Sequence, residues 1–213
     1  NPNNPTGSYV SLASIECFLD SINKEVIVVL DQAYFEYVEN DEKNSIELIK
    51  KYPNLFITRS FSKAYGLAGL RVGFGIGSPK IINLLNRLRQ PFNVNLFAQE
   101  LAVLALKDND FIKRTVSLNK VIRDEMTKEI SSKGILCLPS MANFVLARVS
   151  DLKKLDTNSV SAGVSFFNLL LEYGVITRPV DNYNLQDWIR ISVGTEKENF
   201  KFLDIFTQII KKL

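Results

Sequence analysis

The sequence predicts an α/β fold followed by a smaller α+β domain. Up to about residue 108, short apolar runs that suit buried strands alternate with segments of helical apolar spacing. Beyond that point, a long amphipathic segment precedes two strand patterns that flank one helix pattern. Helices that alternate with buried strands are typical of α/β layers. We therefore expect one domain over residues 1–108 and a second over residues 109–213.

Three apolar runs predict the strands of the first domain. The first covers residues 26–30 in KEVIVVLDQAY and ends at Asp31, and the second covers residues 55–58 in NLFITRSFS. The third is the glycine-rich RVGFGIGSP. An uninterrupted apolar, β-branched run is typical of a strand that is buried on both faces. This pattern favours the interior of an α/β sheet.

Helical spacing accounts for most of the remaining chain. The patterns SLASIECFLDSI and NSIELIKKY precede the first two strands, and SPKIINLLNRLRQ predicts a helix with Ser78 as its cap and Pro79 at its first position. FIKRTVSLNKVIRDEMTKEISSKG predicts a long helix that ends near Gly134. In the second domain, ANFVLARV and WIRISVG predict strands on either side of the helix SVSAGVSFFNLLLEYG. A polar segment at residues 150–161 is predicted to be flexible.

Composition excludes several classes of function. The chain of 213 residues has a net charge of +3 without a basic block, so charge indicates no nucleic-acid partner. No apolar run approaches the roughly 18 residues of a membrane span. Cys17 and Cys137 form no metal motif and no disulfide framework, which favours the reducing cytoplasm. Histidine is absent, so histidine triads and zinc hydrolases are excluded.

Lys63 lies in TRSFSKAYGLAGLRVGF, among groups that suit an anion. Ser60, Ser62 and several glycines permit a close backbone approach, and Arg71 adds a cation suited to phosphate or carboxylate. A lysine is most often a solvated surface charge. Two other roles are open, as the partner of a serine nucleophile or as an amine that attacks a carbonyl. The spacing S-x-x-K fits acyl-enzymes, but their S-D-N and K-T-G companions are absent.

Other polar residues follow predicted strands or turns. Asp31 ends the first strand, where open α/β sheets bind ligands, although a strand-end turn also explains it. Tyr34 could point to the same place or simply pack in the core. Asn4 lies in the turn-rich NPNNPTG. Arg190 lies mid-strand in WIRISVGT and needs an anionic partner or an exposed face, and Arg178 could act in the same region.

The order of five motifs resembles a known family. NPNNPTG, DQAY, SFSK, GLAGLRVGF and IRISVGT follow one another as in the fold type I pyridoxal-phosphate-dependent aminotransferases, and the resemblance covers nearly the whole chain. Within that family the chain is most similar to the histidinol-phosphate aminotransferases. The resemblance implies the later part of a large mixed-sheet cofactor domain and a small α+β domain.

The resemblance implies a role for each matching residue. Lys63 would hold pyridoxal 5'-phosphate as a Schiff base and move the proton between the substrate Cα and the cofactor. Asp31 would pair with the pyridine nitrogen and make the ring an electron sink. Asn4 and Tyr34 would donate hydrogen bonds to the ring oxygen.

The same resemblance assigns the anion ligands. Ser60 and Arg71 match ligands of the cofactor phosphate, with Ser62 as a third candidate. Arg190 matches the arginine that binds the substrate carboxylate, and Arg178 is a candidate ligand of the substrate phosphate. No metal is expected.

The implied reaction converts histidinol phosphate and 2-oxoglutarate to imidazole acetol phosphate and glutamate, in histidine biosynthesis. The family also implies a cytoplasmic homodimer. Alternatives are an aromatic or broad-specificity aminotransferase, a phosphothreonine decarboxylase-like enzyme, and a non-catalytic interaction module with this fold. In the family a substantial part of the chain precedes NPNNPTG. Because the sequence opens on that motif without methionine, we expect a piece of a longer protein.

Overall fold

The computed structural model describes residues 1–39, 45–152, 155 and 160–213. Residues 153, 154 and 156–159 of the segment predicted to be flexible lie outside the described residues. The chain divides into two compact units. Unit 1 comprises Asn1–Pro2 and Tyr9–Val116, and unit 2 comprises Asn3–Ser8 and Ser117–Leu213. The division into domains at residues 108 and 109 stays a prediction.

Unit 1 contains a three-stranded sheet in the order β1 (Val28–Asp31), β2 (Leu55–Ser60) and β3 (Gly73–Gly77). Strands β1 and β2 are parallel, with Asp31 opposite Thr58. Strand β3 is antiparallel to β2, with Gly73 opposite Ser60. The carboxyl ends of β1 and β2 and the amino end of β3 therefore meet at one edge of the sheet.

The helices of unit 1 begin in different ways. They are α1 (Leu12–Ser21), α2 (Leu48–Lys51), α3 (Pro79–Leu88), α4 (Leu96–Lys107) and the first part of α5 (Asn109–Ser131). The Asn95 side chain accepts a hydrogen bond from the Ala98 N–H and so caps α4, a helix that the sequence analysis did not assign. Helix α3 begins at Pro79 as predicted. However, the Ser78 hydroxyl donates to the carbonyl of Pro53 and caps no helical N–H.

Among the described residues of unit 1, two apolar clusters stabilise the sheet and the loop that follows β2. In the first, α1 packs on the sheet through Ile15 and Leu19, which join Leu55 and Ile57 in a buried cluster. The second surrounds Phe61, which follows β2 and packs with residues of β3 and α4. Removal of this apolar surface from water stabilises the sheet edge at which the predicted site residues lie.

The prediction that the first strand is buried on both faces is wrong. Val26 and Ile27 precede β1 and are exposed, and within β1 the side chain of Val29 is 59% exposed. Strand β1 is an outer strand of its sheet, paired within the described part of the chain only with β2, and α1 covers the face that carries Val28 and Leu30. Among the described residues nothing buries the face of Val29.

Unit 2 contains a four-stranded antiparallel sheet in the order β4-β5-β7-β6. The strands are β4 (Cys137–Leu138), β5 (Phe144–Arg148), β6 (Arg178–Pro179) and β7 (Trp188–Ser192). Its helices are the second part of α5 with α6 (Ala162–Glu172) and α7 (Glu196–Lys212). Side chains from all three helices and from alternate positions of β5 and β7 form one apolar core. The predicted strands and helices of the second domain are confirmed by these elements.

Among the described residues, no helix combines the length and the apolar character that crossing a membrane requires.

Candidate active site

The sheet edge of unit 1 gathers most of the predicted cofactor residues. Asp31 ends β1, Ser60 ends β2, and Arg71 lies two residues before β3 begins. Because β1 and β2 are parallel and β3 runs back, all three residues lie at the same edge. This is the position at which open α/β sheets bind ligands.

Asp31 and Tyr34 lie in the turn that follows β1. The backbone N–H of Gln32 donates to the carbonyl of Thr58 at 2.8 Å, which continues the pairing with β2 past the strand end. One carboxylate oxygen of Asp31 accepts from the backbone N–H of Ala33 at 2.9 Å. Asp31 is exposed, whereas Tyr34 is buried. The carboxylate therefore keeps free acceptor capacity at the surface of the unit.

A loop anchored by Phe61 carries Lys63. The backbone N–H of Phe61 donates to the carbonyl of Val72, and its own carbonyl accepts from Leu67. The Phe61 ring is buried, with the ring centres of Tyr65 and Phe74 at 5.0 and 5.5 Å. The hydroxyls around Phe61 were predicted as candidate ligands from the sequence, whereas the anchoring role of Phe61 was not. Its signal is a single aromatic residue between two serines.

Lys63 occupies the first position of a tight turn. Its carbonyl accepts from the N–H of Gly66 at 3.0 Å, and Gly66 has φ +71°, a left-handed conformation that suits glycine. The ammonium nitrogen lies 5.1 Å from the centre of the Tyr34 ring, within the range of a cation–π contact. The structure thus brings Lys63 and Tyr34 together.

The candidate phosphate ligands form a small cluster of donors. The Ser60 hydroxyl accepts from the backbone N–H of Ser62 at 3.0 Å, which leaves its own hydrogen available for donation. Arg71 has φ +53° and donates one guanidinium N–H to the carbonyl of Ala68 at 3.0 Å. The rest of this exposed guanidinium can bind an anion.

Gly73 allows β3 to approach this cluster closely. A Cβ atom at Gly73 would lie 2.6 Å from the backbone carbonyl oxygen of Arg59. No other residue therefore fits without a shift of β2 or β3, and Gly73 holds the amino end of β3 next to Ser60.

The remaining predicted residues, Asn4, Arg178 and Arg190, belong to unit 2. Arg190 donates a hydrogen bond from Nη1 to Oδ1 of Asn4 at 2.5 Å, and its guanidinium carbon lies 5.0 Å from the centre of the Phe144 ring. Because Oδ1 accepts this bond, Nδ2 of Asn4 remains the donor group. Arg178 lies directly opposite Arg190 in the pairing of β6 with β7.

The segment Asn3–Ser8 is fixed within unit 2 by its own turn. The N–H of Gly7 donates to the carbonyl of Asn3 at 2.8 Å, and the carbonyl of Gly7 accepts from the N–H of Met141 at 2.8 Å. Gly7 has φ +74°, and a Cβ atom there would lie 2.2 Å from the Ser140 hydroxyl oxygen. The conformation and contacts of Gly7 therefore help to fix the position of Asn4. This role of Gly7 was not predicted, although the residues of NPNNPTG are typical of a turn.

The family model for aminotransferases of class I and II matches residues 1–206. The chain belongs to the class I and II aminotransferases. This confirms the family inferred from the five motifs.

Two relatives of this chain are about equally similar to it in sequence. Histidinol-phosphate aminotransferase 1 of Cupriavidus pinatubonensis is 44% identical over 212 residues, which cover 99% of this chain and 54% of the relative. Histidinol-phosphate aminotransferase 2 of Ralstonia nicotianae is 46% identical over 200 residues, which cover 93% and 52%. The chain spans about half the length of these relatives.

A solved structure shows the same fold. Histidinol-phosphate aminotransferase from Sinorhizobium meliloti, in complex with pyridoxal-5'-phosphate, has a TM-score of 0.87 and 26% identity to this chain. The match covers 100% of this chain and 56% of that one. The predicted aminotransferase fold type I is therefore confirmed for the part of the fold that the chain spans. The roles of the individual site residues stay predictions.

Proposed function

We propose that the protein binds pyridoxal 5'-phosphate covalently through Lys63 and transfers the amino group of histidinol phosphate to 2-oxoglutarate. The observation that carries this proposal is the convergence of Asp31, Tyr34, Ser60, Lys63 and Arg71 at one edge of the unit 1 sheet. The products would be imidazole acetol phosphate and glutamate. Relatives with 44% and 46% identity that carry the name histidinol-phosphate aminotransferase support the choice of substrate.

The donor set of unit 1 fits this cofactor. A carboxylate suits the ring nitrogen of the cofactor, a phenol suits its ring oxygen, and a primary amine suits its aldehyde. A hydroxyl and a guanidinium suit its phosphate. The close approach of β3 at Gly73, where a Cβ atom would lie 2.6 Å from a backbone oxygen, keeps the hydroxyl of Ser60 and the amino end of β3 together. When bound, pyridoxal 5'-phosphate stabilises the negative charge that develops at the substrate Cα.

The protein residues then have separate tasks. The amine of Lys63 would hold the cofactor covalently through its aldehyde, and as a free amine it would carry the proton to and from the substrate Cα. The carboxylate of Asp31 keeps the pyridine nitrogen protonated. Tyr34 and Asn4 donate to the ring oxygen.

Anion binding falls to hydroxyl and guanidinium groups. Ser60 and Arg71 bind the cofactor phosphate, with Ser62 as a further ligand. Arg178 binds the substrate phosphate, and Arg190 binds that phosphate or the carboxylate of the second substrate. Bidentate contacts from arginine suit both kinds of anion.

We further propose that the protein is a homodimer. Several large apolar side chains at the end of α3, in the following loop and at the start of α4 are exposed: Leu88 by 81%, Phe92 by 98%, Leu96 by 69% and Phe97 by 77%. Large exposed apolar side chains are more frequent at protein interfaces than on the rest of a protein surface. Phe92 also has φ +57°, an unusual conformation for an aromatic residue. The predicted cytoplasmic location stays a prediction.

The Lys63→Ala variant tests the cofactor assignment. Titration of the purified protein with pyridoxal 5'-phosphate should give the visible absorption band of the lysine-bound cofactor, and the variant should lack that band because it has no amine to bind the aldehyde. Lys80→Ala, at an exposed position of α3, is the matched control and should keep the band. An unchanged band in Lys63→Ala would show that Lys63 is not the anchor.

The choice of substrate has its own test. The protein should turn over histidinol phosphate with 2-oxoglutarate faster than phenylalanine with 2-oxoglutarate. Faster turnover of phenylalanine would indicate an aromatic aminotransferase, and release of carbon dioxide from phosphothreonine would indicate a decarboxylase. Failure to bind the cofactor at all would favour a non-catalytic interaction module.

A further inference from the structure

Arg59 joins the second strand of unit 1 to the turn that follows the first. It lies in β2, and its Nε and Nη2 atoms each lie 3.2 Å from Oε1 of Gln32. Its guanidinium carbon lies 3.7 Å from the centre of the Phe35 ring. Hydrogen bonding at the edge of the guanidinium and stacking on its face together fix the plane of the group.

Gln32 is the centre of this arrangement. Its side chain is buried, and Oε1 also accepts a hydrogen bond from the Ser45 hydroxyl at 2.9 Å. Its backbone N–H donates to the carbonyl of Thr58 in β2. Gln32 is therefore held from two directions, and a buried amide oxygen that lost its donors would carry a desolvation penalty.

The guanidinium of Arg59 is half-buried and needs these partners. Burial lowers the pKa of Arg59, and the charge of Glu36 opposes that effect. Since the ordinary pKa of arginine lies far above neutral pH, the group remains a cation. A half-buried cation without partners would be costly, so the contacts with Gln32 and Phe35 are structurally important.

Gln32, Phe35 and Arg59 are sequence neighbours of residues of the candidate active site. Gln32 and Phe35 alternate with Asp31 and Tyr34 along the turn, and Arg59 directly precedes Ser60. Movement of the Gln32 side chain would therefore move the backbone that carries the carboxylate and the phenol.

We propose that Arg59 and Gln32 form a clamp that positions Asp31 and Tyr34 relative to Lys63 and the cofactor. This inference rests on the proposed function. Arg59 acts through Gln32 and Phe35, so it is a positioning residue.

A double-mutant cycle with Arg59→Met and Gln32→Met tests the clamp. Gln32→Met keeps the approximate length of the side chain, Arg59→Met keeps an unbranched but shorter apolar chain, and each change removes the hydrogen bonds. We expect the dissociation constant for pyridoxal 5'-phosphate to rise roughly tenfold in each single variant, as is typical when a supporting hydrogen bond is lost. The double variant should bind no more weakly than the single variants, because both changes break the same clamp.

The pH titration of the visible absorption band separates positioning from stability. Tyr34 donates to the ring oxygen and stabilises its negative charge, so a misplaced Tyr34 should move the titration midpoint of both single variants to higher pH. A purely structural role would lower the melting temperature of the cofactor-free protein and leave the midpoint unchanged. Arg148→Met, which removes a surface ion pair with Asp151, is the control and should shift neither the midpoint nor the affinity.

The outcomes distinguish this inference from the proposed function. A normal band in the wild-type protein with unshifted midpoints in both variants would overturn the clamp alone. Additive losses of affinity in the double variant would also overturn it. Absence of the band in the wild-type protein would overturn the proposed function and this inference with it.

Discussion

At the scale of single residues, the pair Arg178 and Arg190 carries the strongest indication of an anion. Directly opposite residues of antiparallel strands present their side chains on one face, so two cations lie side by side on β6 and β7. Like charges in this arrangement are destabilising unless an anion lies between them. Arg190 also contacts Asn4, whereas Arg178 is exposed. A phosphate or carboxylate on this face would relieve the repulsion.

Arg178→Gln should raise the KM for histidinol phosphate by about tenfold, the loss expected for a charge-assisted hydrogen bond at an exposed site. The KM for 2-oxoglutarate should change little, because Arg190 remains. Steady-state kinetics with each substrate varied in turn checks this split. Arg148→Gln serves as the control. Equal effects of Arg178→Gln on both substrates would contradict the assignment of the substrate phosphate to Arg178.

Glu36 is a partly buried glutamate two residues after Tyr34 of the candidate active site. Among the described residues, its Oε2 atom is buried and has no hydrogen-bond partner. Burial raises the pKa of Glu36, while a backbone hydrogen bond and the charge of Arg59 oppose the rise. Between the ordinary carboxyl pKa of about 4.3 and the raised value, the folded state binds more protons than the unfolded state. The free energy of unfolding therefore falls as pH rises through that window.

Glu36→Gln should remove this pH dependence. The variant should melt at a higher temperature than the wild type at pH 7, because the wild type must ionise a buried carboxyl there. Below the ordinary carboxyl pKa the two proteins should differ little, because the wild-type carboxyl is neutral in both states. Thermal unfolding at several pH values measures the difference. A constant difference across that range would rule out titration of Glu36 as the cause.

At the scale of elements, the strand ends of unit 1 were predictable and the helix starts only in part. The apolar run at residues 55–58 ends at the polar residues that close β2, so the sequence placed Ser60 correctly. The apolar run at residues 26–30 predicted that Val29 is buried, and it is exposed. A run of apolar residues does not show which face of the sheet packs against a helix. The start of α7 carried a signal that the analysis did not use.

That signal is the capping box at Thr195 and Glu198. The Thr195 hydroxyl accepts from the N–H of Glu198 at 3.4 Å, and Oε2 of Glu198 accepts from the N–H of Thr195 at 2.8 Å. The Thr195 hydroxyl also lies 2.7 Å from Oε2, and hydrogen bonds from Thr195 lower the pKa of Glu198. This stabilisation is present above the ordinary carboxyl pKa and is lost as pH falls through the lowered pKa.

Thr195→Ala should destabilise the protein by about 1 kcal/mol, the typical cost of an N-cap hydroxyl. Denaturant unfolding at neutral pH measures this change. Thr195→Ser keeps the hydroxyl and should lose much less. If both variants were equally destabilised, the effect would come from the lost methyl group and not from the cap.

At the scale of the whole molecule, the proposed homodimer would bury the exposed apolar residues of unit 1. Phe92→Asp should convert a dimer to a monomer, because a buried, unpaired charge at an interface is costly. Sedimentation velocity measures the oligomeric state. Phe200→Asp changes an apolar side chain of unit 2 that is 75% exposed, and it should leave the dimer intact. A dimer that survives Phe92→Asp would place the interface elsewhere.

Much of the candidate site could be predicted because its motifs are local. SFSK and DQAY each place their functional residues within a few positions of a strand end. The bond between Asn4 and Arg190 joins residues that are 186 positions apart, and neither local spacing nor periodicity contains that information. The contacts of Arg59 with Gln32 and Phe35 were missed for the same reason, since they join β2 to the turn after β1, more than 20 positions earlier in the sequence.

The membership of Asn3–Ser8 in unit 2 has a consequence for biosynthesis. A ribosome makes this segment before Met141 and Arg190, the residues that hold Gly7 and Asn4 in place. Asn4 therefore emerges long before its partners, and no shorter nascent chain can fix it. Closure of so long a loop is costly in entropy and slows folding. Unit 2 can thus be complete only after Arg190 has left the exit tunnel. Until then, the nascent chain contains Lys63, but Asn4 is not yet held by Arg190.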